Sequence, residues 1–329
     1  ATVSVSGNTV TVTGKANGSA KITISVAAGT NYTAPASKTC TVTVSFLKDN
    51  FADNDWASII AACHSGSVPS TWVVGNSKTM TINGASYQVD IIGKNHDTYA
   101  SGGKAPLTFQ LHDCYGETKN MNSSNTNSGG WKNSEMRTTH LPAILALMPT
   151  EVQNGIREVS KKASVGGASS TIETVSDKLF LLSEVEIFGS TSYSAAGEGT
   201  QYDYYKAGNS KVKKWNGSAA RWWERSPRAS ASTNFCLVNS NGNANNNNAS
   251  NANGVAFGFC TARSDAVTAG RRRSSTYAEG ELIPGKSQNN PPVQTAGRCL
   301  HGRPMCAGLF HSRTATRVER APDNHPLRR

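Results

Sequence analysis

Charge is scarce in this chain. Only 17% of its 329 residues are charged and only 7% are aromatic. So few charges argue against a long solvated helical bundle. No stretch of eighteen apolar residues occurs, which excludes a membrane-spanning helix. Metal-binding spacing is also missing. The seven cysteines form no CxxC pair and no repeated Cys/His unit, so no metal and no other cofactor is expected. Acidic residues are absent from Asn234 to Asn253, so that stretch lacks the carboxylates calcium needs.

Basic charge is concentrated in one place. The formal net charge is +11. Residues 261–329 hold twelve Lys or Arg against five Asp or Glu, a balance of +7, which leaves +4 for the first 260 residues. Nucleic-acid binding is therefore not expected of the folded part, and only this tail would support it electrostatically. The tail also carries six prolines, three histidines and Arg271-Arg272-Arg273 with almost no apolar periodicity, and reads as disordered.

Gly, Asn and small polar residues fill the space left by charge, which favours strands and turns. Val3, Val5, Val10 and Val12 alternate with polar residues, then Ile22, Ile24 and Val26, then Val42, Val44 and Phe46. About four short strands are expected in residues 1–46. From Asp49 the pattern changes. Asp53 or Asp55 caps a predicted helix carrying Trp56, Ile59, Ile60 and Cys63 on one face, and Gly66 ends it. Trp72 to Gly75 reads as strand-like. Thr79–Ile82 and Tyr87–Ile92 form a hairpin about Asn83-Gly84, and Leu107–Leu111 is a further strand. Leu141 to Met148 reads as a helix, with the period continuing through Val152, Ile156 and Val159 so that Lys161-Lys162 would close its last turn. Residues 163–176 read as a small-residue linker, and Asp177 to Ser183 as a central strand.

Catalytic constellations are weak. His96 and Asp97 are adjacent, and neighbours on an extended chain point apart, so they read as a buried polar corner. Glu184 and Glu186 share a face of any strand, which suits paired carboxylates, but a structural link to Arg137 or Arg225 is the better reading. No catalytic residue is assigned and no enzyme is expected.

The most unusual stretch is 222–260. It opens on Trp222-Trp223-Glu224-Arg225-Ser226-Pro227, passes Asn234-Phe235-Cys236-Leu237-Val238, and closes on Phe257-Gly258-Phe259-Cys260. Ten of the twenty residues from Asn234 to Asn253 are Asn. Such a run cannot build a core of its own, yet its flanks read as core strands. Cys236 and Cys260 read either as buried thiols or as disulfide partners on neighbouring strands.

Four motifs occur in order: Trp131-Lys132-Asn133-Ser134-Glu135-Met136-Arg137, Asp177-Lys178-Leu179-Phe180-Leu181-Leu182-Ser183-Glu184, Trp222 to Pro227, and Phe257-Gly258-Phe259. Together they resemble the variable protein of a diversity-generating retroelement. That resemblance implies an α+β, C-type-lectin-like (formylglycine-generating-enzyme-like) domain over 49–260, with its variable region at about 222–260. Residues 1–46 resemble part of a bacterial immunoglobulin-like domain. In such systems adenine-rich Asn codons are rewritten, so the resemblance marks Asn234, Asn239, Asn241, Asn243, Asn245, Asn246, Asn247, Asn248, Asn251 and Asn253 as variable ligand-binding positions. Trp222, Trp223, Arg225, Phe235, Phe257 and Phe259 become the scaffold beneath them. The implied role is attachment to a bacterial or host surface protein or glycan, from a phage virion or a bacterial cell surface. The alternative is a structural module of such architecture. The Asn side chains are expected to be exposed and clustered on one face.

Overall fold

The computed structural model describes residues 2–7, 9–15, 18–30, 33–44, 46–261 and 307–310. The chain divides into two compact units, 1–46 with 266–329, and 47–265.

The first unit is β-structure, as the alternation predicts. β1 (Thr2–Ser6) pairs with β2 (Thr9–Thr13), and β3 (Gly18–Ile24) with β4 (Lys38–Val44), both antiparallel. Val42 is buried, but Val3 and Val5 are exposed. A two-stranded ribbon has too little surface to bury both of its faces. A strand at Ala307–Phe310, within the expected tail, runs parallel to β4. The remainder of the expected disordered tail, 262–306 and 311–329, lies outside the described residues.

The second unit mixes helices with mostly small antiparallel sheets, an α+β arrangement. It starts with α1 (Trp56–Ser65), capped by Asp55, whose side chain accepts from the Ser58 N–H at 2.6 Å, and ended by Gly66 at φ +69°. The face carrying Trp56, Ile59, Ile60 and Cys63 is buried. β5 (Ser77–Ile82) and β6 (Ala85–Lys94) form the predicted hairpin, with positive φ at Asn83 and Gly84. Trp72 to Gly75 forms no strand, and Val74 and Gly75 lie in a turn before β5. β6 continues to β7 (Leu107–Leu111), which is buried throughout.

The middle of the chain departs from expectation. After α2 (Gly130–Asn133) and a π-turn at Met136–His140 come α3 (Leu141–Ala146) and α4 (Thr150–Gly155). The helical period stops there. β8 (Ile156–Arg157) and β9 (Val159–Ser164) follow, and β9 pairs with β10 (Ile172–Asp177). The supposed linker is therefore a hairpin. It requires Gly166 at φ +71°, where a Cβ would fall 1.8 Å from the Asn127 carbonyl. Lys161 sits inside a strand, not on a helix end.

The predicted strand from Asp177 to Ser183 is reduced to β11 (Leu179–Phe180). Ser183 instead caps α5 (Glu184–Phe188) in a capping box with Glu186. Glu184 and Glu186 therefore lie on a helix. After α6 (Asp203–Lys206), β12 (Lys213–Trp215) and β13 (Ser218–Ala220) form a hairpin. β14 (Trp222–Pro227), β15 (Asn234–Val238) and β16 (Ala244–Asn248) form a three-stranded antiparallel sheet. β17 (Gly258–Thr261) returns to the main sheet, ordered β11-β17-β7-β6-β5 with β8 on β17. Its Phe259 meets Phe109 at 5.2 Å between ring centroids, and Trp56 also packs on Phe109 at 5.6 Å.

Candidate binding surface

The three strands from Trp222 onward bring a rigid frame and the Asn run together. Trp222, Trp223, Arg225, Phe235, Phe257 and Phe259 are all buried, as expected of scaffold. The two indoles are pinned as well as packed. Trp222 Nε1 donates to the Lys211 carbonyl at 2.9 Å and Trp223 Nε1 to the Lys119 carbonyl at 2.8 Å.

Arg225 is the centre of the frame. Its guanidinium grips Glu186 through two bonds, 2.5 and 2.9 Å, and also donates to the carbonyls of Lys162, Leu181 and Glu198. Of the two arginines that could have met the Glu pair, Arg225 does so. Arg137 instead binds Asp177 at 2.5 Å, and Trp131 Nε1 donates to the same carboxylate at 2.7 Å. Lys161 extends the chain of charges, lying 2.8 Å from both Glu186 and Asp97. Thr108 and Tyr202 hydroxyls donate to Asp97, whose carboxyl is held at about 2. Burial opposes that shift, but the Lys161 charge and these bonds outweigh it. His96 stacks on Tyr202 at 4.0 Å rather than joining Asp97 as a base.

Two further acids complete this interior. Burial raises Glu198 to about 7, against bonds from Ser226 and the Arg225 charge. Glu224 has both carboxyl oxygens buried without a hydrogen-bond partner, and burial beside Glu184 and Glu198 pushes it well above the usual carboxylate range. Apart from Glu224, these buried groups are joined by internal bonds that tie β9, β14 and α5 together.

β16 is an edge strand. At its ends the Asn239 N–H donates to the Asn243 carbonyl and the Ala249 N–H to the Thr233 carbonyl, each at 2.8 Å. Antiparallel pairing alternates. Asn245 and Asn247 therefore turn their backbone groups to β15, while Ala244, Asn246 and Asn248 turn theirs to the open edge. The side chains then cover that edge. Asn245 Oδ1 accepts from the Asn246 N–H at 2.8 Å, and Asn247 Oδ1 from the Asn248 N–H at 2.9 Å.

The ten candidate positions divide by exposure. Asn241, Asn243, Asn248 and Asn251 are exposed, and Asn234, Asn239, Asn245, Asn246 and Asn247 are half-buried. Asn253 is buried and its backbone is paired in both directions with Lys119, which removes it from the displayed set. The chain re-enters the core at that point. The single-face expectation also fails, because strand alternation sends Asn245 and Asn247 to one side and Asn246 and Asn248 to the other. Several of these amides bond one another or a nearby arginine. Asn234 donates to Asn246 at 3.0 Å, Asn251 to Asn247 at 2.8 Å, and Arg221 to Asn239 at 2.9 Å.

Cys236 and Cys260 lie in different sheets, and both are free thiols raised by burial, so the disulfide alternative is excluded. Among the described residues no group of three or more His, Cys, Asp or Glu could hold a metal.

Two supporting residues escaped sequence reasoning. Lys161 was hidden by the helical reading, although Val159, Lys161 and Ala163 alternate as a buried strand face. Asn127 lies in a Gly/Asn/Ser-rich stretch with no local signal of a structural role. It is buried, and its amide donates to the carbonyls of Ala231 and Asn234 at 2.7 Å each, fastening the start of β15.

The fold and frame thus define a mixed α+β domain with one polar edge sheet. Residues 102–263 are similar to a domain of unknown function, DUF6273, whose family model matches them. No curated protein and no solved structure matches the chain.

Proposed function

We propose that the chain is a ligand- or receptor-binding protein of the variable type made by diversity-generating retroelements, with a C-type-lectin-like scaffold and an immunoglobulin-like N-terminal segment. It acts without catalysis, at a phage or bacterial cell surface, on a surface protein or glycan. One observation carries this reading. The Asn-rich strand hangs on a frame of buried Trp, Phe and Arg side chains, while the exposed Asn241, Asn243, Asn248 and Asn251 supply none of the hydrophobic core. Side chains of that kind change at little cost to stability, typically within about 0.5 kcal/mol. Replacing them with Tyr, Trp or Arg would create the anchors that dominate interface energy.

A display library randomised at those four positions tests the proposal. Most members are expected to keep a cooperative melt near that of the parent, and selection against surface proteins and glycans should enrich binders. The source locus should also hold a near-copy of the segment that differs mainly at adenines, beside a reverse transcriptase. A library that largely unfolds, together with a locus lacking both elements, would overturn it. That result would favour a structural module, the reading supported by the Asn234–Asn246 bond and the self-covered edge of β16.

A further inference from the structure

A cleft of about 410 Å³ lies away from the Asn strand, between the start of β6, the loop after β7 and the β12–β13 hairpin. Its aromatic walls are Tyr87 and Trp215, and its polar groups include Gln88, His112, Asp113 and Asn216. Many of these side chains are fixed before any ligand arrives. Gly116 ties the walls together: its N–H donates to the Tyr87 hydroxyl at 3.2 Å, and its carbonyl accepts from Trp215 Nε1 at 3.0 Å. Tyr87 also stacks on Tyr115 at 5.6 Å. The hairpin is anchored by Lys213, whose buried ammonium donates to the carbonyls of Leu111 and His112 at 2.6 and 2.8 Å.

The polar groups are held equally firmly. His112 Nδ1 lies 2.7 Å from Asp90, which is itself buried and bonded by Ser77 at 2.5 Å. The Asp90 hydrogen bond raises the His112 pKa and favours the imidazolium, so Nε2 presents an N–H donor on a half-exposed ring. One oxygen of Asp113 takes the Lys214 N–H at 2.7 Å, leaving the other for a ligand.

These groups select a ligand class. A wholly apolar ligand would strip water from His112 and Asp113 and return no hydrogen bonds. A phosphate or carboxylate would meet the Asp113 charge. A neutral, hydroxyl-rich ring answers both features. Its C–H face packs on an aromatic wall, and its hydroxyls donate to Asp113 and accept from His112. Preorganised groups lose little freedom on binding, which favours such weakly hydrophobic ligands.

We propose that this cleft is a saccharide-binding subsite, in which a neutral sugar ring packs against Trp215 and Tyr87, accepts a hydrogen bond from His112 Nε2 and donates a hydroxyl hydrogen to Asp113. It is independent of the Asn strand and of the function proposed for it.

The test is ligand-observed NMR and calorimetry on the full chain, with neutral gluco-, galacto-, manno- and N-acetylglucosamine oligosaccharides. At least one is expected to bind with a Kd near the millimolar range or tighter, about 4 kcal/mol. His112→Asn keeps a donor for Asp90 but deletes the Nε2 donor, and Asp113→Asn removes the carboxylate. Each should weaken binding about tenfold, close to 1.4 kcal/mol, without lowering Tm. Trp215→Ala should abolish it. Asn243→Ala should leave it unchanged, which separates this site from the Asn surface. Absence of binding to the whole panel, or affinity retained in both the His112 and Asp113 variants, overturns the proposal.

Discussion

At the scale of single residues, stability and surface exposure fall on different side chains. Arg225 has no exposed surface, and its bonds reach Lys162, Leu181, Glu186 and Glu198. Removing one partner of such a buried pair strands the other charge, at roughly 3–5 kcal/mol. Arg225→Met should therefore lower the denaturation free energy by about that amount, or prevent folding. Asn248→Ala should change it by less than about 0.5 kcal/mol. Urea titrations of the two variants check both, and similar losses would contradict this division. The Arg225 partnership was half legible, because an arginine embedded in an aromatic motif demands a carboxylate, and Glu184 and Glu186 were the nearest good candidates. The helix beneath them was legible too, since Ser183 and Glu186 spell a capping box, but the apolar run Leu179–Leu182 suggested a continued strand. Lys161 was not legible, because a lysine beside another lysine usually marks a solvated turn.

At the scale of elements, β16 shows how an Asn-rich strand remains a safe edge. Exposed edges recruit other strands through their unpaired backbone groups. Here Asn245 and Asn247 occupy the outward N–H groups of their own neighbours. Asn247→Ala should uncover the Asn248 N–H and promote edge-to-edge association, visible as concentration-dependent light scattering, while Asn243→Ala should not. Equal scattering from both variants would argue against self-capping. Hairpins with strong turn signals, such as Asn83-Gly84, were readable. The β9–β10 hairpin was not, because its turn depends on Gly166 meeting Asn127, thirty-nine residues earlier in the chain. Contacts of that range leave no local signature.

At the scale of the whole molecule, the buried acids set a pH profile. Glu198 keeps its proton in the folded chain up to about 7, whereas its ordinary value is 4.5. Its contribution is therefore complete below about 4.5 and is lost as pH rises through about 7. Linkage makes that loss on the order of 3 kcal/mol. Glu224 acts in the same direction. Asp97 acts oppositely: its contribution is present above its ordinary 3.8 and is lost as pH falls through about 2. Stability should peak at about pH 4 to 5 and decline toward pH 7.5, and Glu198→Gln should flatten the decline. Denaturation at these pH values decides it, and a profile that rises steadily to neutrality would refute the assignment.

The partners of Arg225 lie early in the chain. Lys162, Leu181, Glu186 and Glu198 all precede residue 222, and Asn127, which fastens β15, precedes them. Under the proposed function, a gene that rewrites only the Asn codons between 234 and 251 leaves these anchoring residues, and Phe235 among them in the strand, unchanged. Each new version inherits an intact foundation, so recognition can be gambled at every generation while foldability is passed on unchanged.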